Sequence, residues 1–93
     1  VRHKVADFAR WKQVFDGHFG LRHSAGELSC RMFHSHDNGN DLSLFFEWET
    51  LEMARAFFAS EPLKAGMQQS GVVGTPEVMF LDEIRSLRRT SAD

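Results

Sequence analysis

Two groups of residues in this sequence have side chains that could do chemistry. The first is the stretch FHSHDNGNDL over 33–42, in which His34 and His36 stand one residue apart with Asp37 and Asp41 nearby. Because strand side chains repeat every two residues, the two imidazoles would point the same way and could form half of a zinc or copper site. A third metal ligand would have to be Asp37 or Asp41, and no neighbouring residue would orient the imidazole rings. We therefore interpret the stretch as the polar tip of a hairpin and predict no metal.

The second group lies along one face of a predicted helix that begins after the N-cap candidate Asp7 and ends at Gly26. His18 could act near neutral pH as a base toward an acidic phenol or enol. Arg22, one turn later, could hold a carboxylate or a developing oxyanion. Alternatively, His18 hydrogen-bonds a strand carbonyl or Glu49, and Arg22 reaches solvent past its apolar stem. Steps of three and four residues bring together the members of this face, which are Phe8, Trp11, Phe15, His18 and Arg22.

Length and composition limit the class of protein. The 93 residues predict one domain over 1–84 and a polar tail over 85–93, with nine Phe and two Trp to supply apolar area. The formal net charge of -2 gives no broad basic surface for nucleic acid or acidic lipid. The lone Cys30 cannot form an internal disulfide or build a thiolate metal site. A chain without disulfides is typical of the reducing cytoplasm, so we predict a cytoplasmic protein. We also predict no cofactor. No apolar run approaches membrane-spanning length.

Hydrophobic periodicity predicts four strands, over 1–5, 28–34, 42–49 and 76–84. With a helix between the first two strands and another between the last two, the order is β-α-β-β-α-β. Two crossovers joined by a hairpin predict an α+β, ferredoxin-like fold, in which helices cover one side of an antiparallel sheet.

The second helical region is predicted in two pieces. Thr50 is a good N-cap for the first piece, and Pro62 is tolerated in the first turn of the second piece, which ends by Gly71. The residues expected on the inner side of the first piece are Leu51, Ala54, Phe57 and Phe58, and the second piece carries Leu63 and Met67.

The Asn38-Gly39 pair is the strongest turn signal between the two middle strands, because a type I′ turn needs two residues at positive φ. A two-residue loop there would pair Met32 with Phe45 and would mix charged and apolar side chains on each face of the sheet. A loop one residue longer, or a bulge, gathers the apolar residues on one face, and we favour that register. The face would then carry Leu28, Cys30, Met32, Leu42, Leu44, Phe46 and Trp48.

The opposite face of the sheet is also predicted to be apolar. A contiguous apolar patch of this kind is too large to leave in water, so we expect a second copy of the chain to cover it, sheet against sheet. Arg31 and Glu47 lie on the same face and could pair within or between the copies. The apolar residues concerned are Phe33, Phe45, Met79 and Leu81.

Two long segments, HKVADFARWKQVFDGHF and FFEWETLEMARAFFASEPLKAGMQQSGVVGTPEVMFLDE, resemble the dimeric α/β-barrel superfamily, and in it small proteins of the antibiotic-biosynthesis-monooxygenase (ABM) type, often labelled cyclase-like. The resemblance implies two ferredoxin-like sheets paired into a barrel, with a ligand cavity between sheet and helices in each subunit. The residues that carry it are Trp11, Phe15-Asp16-x-His18, Glu47-Trp48-Glu49, Ala54-Arg55-Ala56-Phe57 and Leu63-Lys64.

Activities in that superfamily range from cofactor-free oxygenation of polycyclic aromatics to haem degradation and isomerisation. The Asn, Trp and His of the haem-degrading branch have no match at the corresponding positions here, which are Arg2 or His3, Phe57 and Met67. We therefore expect a homodimer that binds a small hydrophobic or aromatic ligand. It acts either as a cofactor-independent monooxygenase with His18 as base, or as a non-catalytic ligand-binding or structural dimer module. The predicted ligand-binding residues are Trp11, Phe15, Arg22, Phe46 and Trp48.

Overall fold

The computed structural model describes residues 1–88 as one antiparallel sheet of four strands, in the order β2-β3-β1-β4, with four helices. The α+β class is confirmed, and this strand order is compatible with a ferredoxin-like fold. No helix within these residues is long and apolar enough to cross a membrane. The elements are β1 (Arg2–Val5), α1 (Phe8–Gly17), α2 (Phe19–Ser24), β2 (Glu27–Ser35), β3 (Asn38–Trp48), α3 (Leu51–Phe58), α4 (Glu61–Ser70) and β4 (Val72–Glu77).

The predicted helix starts are confirmed, and each has a side-chain cap. The Asp7 carboxylate accepts a hydrogen bond from the N–H of Ala9 at 3.1 Å, and the Thr50 hydroxyl accepts one from the N–H of Met53 at 3.1 Å. Ser60 caps α4, which ends as predicted at Gly71 in the left-handed conformation, with φ 81°. Such caps satisfy backbone groups that a helix end leaves without partners.

The single helix predicted from Asp7 to Gly26 is wrong, since the chain forms two helices that meet at His18. The backbone of His18 has φ -96° and ψ 12°, outside the α-helical range, and its N–H is shared between the carbonyls of Val14 and Phe15 at 3.2 Å. Gly17 and Gly20 flank this break, and glycine lowers helix propensity by about 1 kcal/mol relative to Ala. The face that carries Phe8, Trp11, Phe15, His18 and Arg22 is therefore divided between two helices and bends at His18.

The predicted hairpin register is confirmed, but the predicted turn is wrong. Met32 pairs with Leu44 and Cys30 with Phe46, so the apolar residues of the two strands share a face. The turn lies at His36-Asp37, and Asn38 already begins β3 with no positive φ at Asn38 or Gly39. A register shift after His34 acts as the bulge that the apolar pattern requires.

One predicted member of the inner face is misplaced. A second register shift, between Glu27 and Ser29, turns Leu28 outward, where it is 61% exposed. The same shift turns Glu27 inward, where it is buried. One extra residue in a strand exchanges the two faces, and so an acidic side chain replaces a leucine beneath the helices.

The predicted last strand over 76–84 is also wrong, because the strand comes earlier. β4 starts directly after Gly71 and pairs with β1 through Val5 opposite Val72 and Lys4 opposite Val73. Residues 78–88 form no helix or strand, and 89–93, the end of the predicted polar tail, lie outside the described residues. Pro76 is accommodated because β4 is an edge strand, where a missing N–H need not break a ladder.

The core lies between the sheet and α1, around Val5, Trp11, Leu42 and Leu44. Of the four inner residues predicted for α3, Ala54 and Phe57 are buried and Phe58 is half-buried. The prediction for Leu51 is wrong. It is 53% exposed at the first position of α3, whereas the buried residues Ala54 and Phe57 lie one and two turns later.

We expect Leu42→Ala to lower the free energy of unfolding by about 2–5 kcal/mol, because Leu42 is 0% exposed and its loss leaves a cavity. Leu51→Ala is the matched control and should change stability by no more than about 0.5 kcal/mol. Urea unfolding followed by circular dichroism measures both. Equal losses for the two leucines would contradict the observed burial.

Candidate functional site

A cavity lies where the sequence predicts it, between α1, α2, α4 and the helix-facing side of the sheet. The cavity is open to solvent, and the space available to the centres of water-sized spheres inside it is about 70 Å³. Five of the six predicted site residues line it, and the other lining residues are Val1, His3, Val14, Leu21, Leu44, Phe57, Phe58, Leu63, Gly66, Met67 and Ser70. The predicted residues on the lining are Trp11, Phe15, His18, Arg22 and Phe46.

Trp48 is the predicted site residue that the structure does not bring to this cavity. Its ring lies 5.1 Å from that of Phe57 and 5.7 Å from that of Phe58, and these two residues line the cavity in its place. The indole therefore packs behind the wall rather than on it. Sequence periodicity placed Trp48 on the correct face of β3 but could not show that α3 covers it.

The side of the cavity nearest α1 is a stack of aromatic rings. Trp11 and Phe15 lie 4.8 Å apart between ring centroids, with an angle of 22° between their planes, and Phe8 continues the stack. Phe15 in turn lies 6.3 Å from Phe46 of β3. Spacing of three and four residues on α1 produces this arrangement, because it places successive rings on one face of the helix.

Arg22 is held by a buried ion pair. Its Nε donates to Glu27 Oε2 at 2.9 Å, and its Nη1 donates to the carbonyl oxygen of Phe15. The guanidinium carbon also lies 3.6 Å from the centroid of the Phe15 ring. Arg22 and Glu27 are both buried, so the alternative in which Arg22 reaches solvent is wrong. Within residues 1–88 its Nη2 forms no hydrogen bond, and an anion-holding role for Arg22, which stays a prediction, would depend on that nitrogen.

Glu27 is a site residue that sequence reasoning missed. It was predicted to lie outside the strand that begins at Leu28, and only the register shift in β2 turns it inward. The left-handed Gly26, with φ 111°, makes the sharp connection from α2 that brings Glu27 back toward Arg22. A signal was present in the sequence, since a buried arginine requires an acidic partner and Glu27 is the nearest one in the chain.

His18 lies at the junction of α1 and α2 and faces α4. A Cβ at Gly66 would lie 3.0 Å from Cε1 and 3.1 Å from Nδ1 of the imidazole, so the ring packs directly on the glycine backbone. Within the described part of the chain the His18 side chain forms no hydrogen bond, and neither a strand carbonyl nor Glu49 holds it. The ring lies on the cavity lining, and its role as a base stays a prediction.

His3 is a second histidine on the lining, and its orientation could not be predicted from the sequence. It is 8% exposed and meets Trp11 edge to face at 5.6 Å between ring centroids. Its Nδ1 is buried and has no hydrogen-bond partner within residues 1–88. Burial lowers the pKa of His3, and contact with its own backbone opposes that effect only in part. The buried Val5, two residues along β1, was the signal that His3 faces inward.

Two other groups, the Cys30 thiol and the histidine pair at the hairpin, do not lie on the lining of this cavity. Burial raises the pKa of the Cys30 thiol to about 11, so the reactive thiolate is scarce near neutral pH. Within residues 1–88 no three His, Cys, Asp or Glu side chains come together as metal ligands would. At the hairpin, His34 Nδ1 lies 2.7 Å from the carbonyl oxygen of Ser35, in keeping with a polar tip.

Comparison of the chain with protein-family models, curated proteins and solved structures found no match. The resemblance to ABM-type proteins therefore stays a prediction.

The buried His3 gives a prediction for pH dependence. Its pKa in the folded protein is lower than in the unfolded chain, where it is about 6.5, so the unfolded chain binds more protons at mildly acid pH. The His3 contribution is therefore fully present above about pH 6.5 and is lost as pH falls through the folded-state pKa. Replacing His3 with Phe should reduce the loss of unfolding free energy between about pH 7.5 and about pH 5.

Urea unfolding at the two pH values measures this difference. His23→Phe is the control, since His23 is exposed and should leave the wild-type pH dependence unchanged. A wild-type pH dependence in the His3 variant would show that His3 protonates equally well in the folded and unfolded states.

Proposed function

We propose that the cavity binds one small aromatic molecule and that the chain works as an ABM-like homodimer in the cytoplasm. The observation that supports this most directly is the make-up of the lining, which is mostly aromatic and aliphatic with Arg22 and His18 converging on it. Small-molecule sites in proteins have this composition, with a few polar groups to orient the ligand. The cytoplasmic location is proposed only because the lone Cys30 cannot form an internal disulfide.

The ring geometry favours an aromatic ligand over an aliphatic one. Trp11 and Phe15 present stacked rings along α1, while Phe46 and Phe58 pack edge to face against each other on the lining, 6.0 Å apart and at 66°. Aromatic pairs in such arrangements contribute about 0.5–1.5 kcal/mol beyond the area they bury. A flat aromatic molecule can use both kinds of contact at once.

Oxygenation without a cofactor is the catalytic form of the same proposal, and the free imidazole of His18 favours it. His18 would take a proton from a phenol or enol, and the electron-rich ligand would react with molecular oxygen. One oxygen atom would become a carbonyl on a ligand carbon, and the other would leave as water with the hydrogen of that carbon and the hydroxyl proton that His18 took. Without that step the protein is a binding module, or a structural dimer.

Filling the cavity should abolish binding. Leu63 lines the cavity from α4, so we expect Leu63→Trp to raise the dissociation constant for naphthalene by at least about tenfold. Lys64→Trp is the matched control, because Lys64 is the exposed next residue and should leave binding unchanged. Isothermal titration calorimetry or naphthalene fluorescence measures both constants. Naphthalene that does not bind the wild type, or binds both variants equally well, would refute a cavity site.

Oxygen uptake in the same samples separates binding from turnover. A panel of hydroxylated aromatics should include one that is consumed with oxygen, and His18→Ala should abolish uptake while the melting temperature stays nearly constant. If the aromatics bind but none of the panel is consumed with oxygen, the catalytic form of the proposal is refuted and the non-catalytic binding module remains.

The homodimer is supported by the other face of the sheet. Phe33 and Phe45 are exposed there with their rings 5.8 Å apart, and Leu28 adds to the same side. Arg31, which lies over the Phe33 ring, and the exposed Glu47 offer opposite charges on the same surface. A two-fold axis would bring these apolar side chains together and allow the charges to pair between copies.

We expect Phe45→Glu to halve the molar mass measured by sedimentation equilibrium, because it places charges in the middle of the interface. Phe19→Glu is the control, since Phe19 is equally exposed but lies on α2, away from the sheet face. A wild-type protein that sediments as a monomer at every concentration would exclude the dimer.

A further inference from the structure

A second hollow adjoins the cavity, between α2 and α3 and next to the start of α4. It is open to solvent, and the space available to the centres of water-sized spheres inside it is about 280 Å³. Leu21 and Phe57 line both the cavity and the second hollow, so these two side chains form the partition between them. The other residues that line the second hollow are Ala25, Met53, Ala56, Ser60 and Pro62.

The chemistry of the second hollow differs from that of the cavity. Phe57 supplies an aromatic ring and Ser60 a hydroxyl, and the other lining residues are aliphatic or, in Met53, a thioether. The Ser60 hydroxyl is already used, because it donates to the carbonyl oxygen of Phe57 at 2.6 Å and accepts from the N–H of Leu63 at 3.4 Å. A saturated hydrocarbon group suits such a lining, and each CH₂ fully removed from water raises affinity by about fourfold.

The cavity alone is small for an aromatic ring. Its space of about 70 Å³ is about half that of an engineered apolar cavity of about 150 Å³ that holds one benzene molecule. A ring bound beside Trp11 therefore reaches into the open mouth or moves a side chain of the wall. Leu21 can move at lower cost than Trp11 or Phe57, because it is 41% exposed and they are 3% and 7% exposed. Moving Leu21 opens the partition toward the second hollow.

We propose that the second hollow is a subsite for an alkyl chain on the bound aromatic molecule, so that the protein selects alkyl-substituted aromatics over unsubstituted ones. The inference rests on the proposed function, since the chain can reach this subsite only from a ring in the adjoining cavity. The ring then contacts the aromatic lining along α1. The chain passes over Leu21 and lies against Met53 and Ala56.

The test compares naphthalene with butylnaphthalene by isothermal titration calorimetry. Wild-type protein should bind butylnaphthalene at least about tenfold more tightly, because the butyl carbons leave water. Ala56→Trp, which places an indole at the second hollow, should reduce this preference to less than about threefold and leave the affinity for naphthalene unchanged. Ala65→Trp is the matched control and should keep the wild-type preference, since Ala65 is exposed on α4 and lines neither the cavity nor the second hollow.

The methionines give a second measurement that needs no filling variant. Met67 lines the cavity, Met53 lines the second hollow, and Met79 is 68% exposed and lines neither. In NMR spectra of protein with labelled methionine methyl groups, assigned through single Met→Leu variants, butylnaphthalene should show nuclear Overhauser effects from its ring to Met67 and from its butyl chain to Met53. Met79 is the internal control and should show none.

The outcomes separate this inference from the function on which it rests. If neither probe binds the wild type, the proposed function fails and the subsite fails with it. If naphthalene binds, but butylnaphthalene binds no more tightly or keeps its preference in Ala56→Trp, only the subsite is overturned. A saturated butylnaphthalene complex without contact between the butyl chain and the Met53 methyl group overturns the subsite in the same way.

Discussion

The buried ion pair between Arg22 and Glu27 is the interaction on which the rest of the site depends. It joins α2 to the start of β2, while the same guanidinium lies on the Phe15 ring of α1 and donates to its carbonyl oxygen. Removing one partner of such a pair leaves an uncompensated buried charge, at a cost of about 3–5 kcal/mol. Three elements are therefore held together at one end of the cavity, and the aromatic stack on α1 keeps its position relative to the sheet.

Much of the fold could be predicted because its signals are local. The caps at Asp7 and Thr50 and the left-handed glycine at 71 mark helix ends through their own chemistry, and the structure confirms them. The pairing of Met32 with Leu44 also followed from the sequence, because a slip of one residue would have exposed a complete apolar face. Five of the predicted cavity residues come together for a similar reason, since helical spacing and strand alternation determine which side chains face each other.

The remaining features depend on contacts that are distant in sequence. The turn predicted at Asn38-Gly39 does not form, because a bulge keeps the apolar face of the hairpin buried. Separately, β1 pairs with Val72 and Val73 rather than with the more apolar segment that follows them. The inward turn of Glu27 arises from a single irregularity in β2 and supplies the partner for Arg22. Local propensity carries little information about such choices, because they depend on pairing between segments that are distant in the sequence.

The two faces of the sheet are linked through β3. Leu44 and Phe46 of this strand line the cavity, and Phe45, between them, points to the exposed apolar face. Because alternate residues of one strand share a backbone, a partner that presses on Phe45 acts on the strand that positions Phe46 against Phe15. The cavity and the exposed apolar face on the opposite side of the sheet are thus not independent features. Any change that shifts the register of β3 would disturb both faces, and the observed register shifts lie toward the ends of the paired region, outside 42–46.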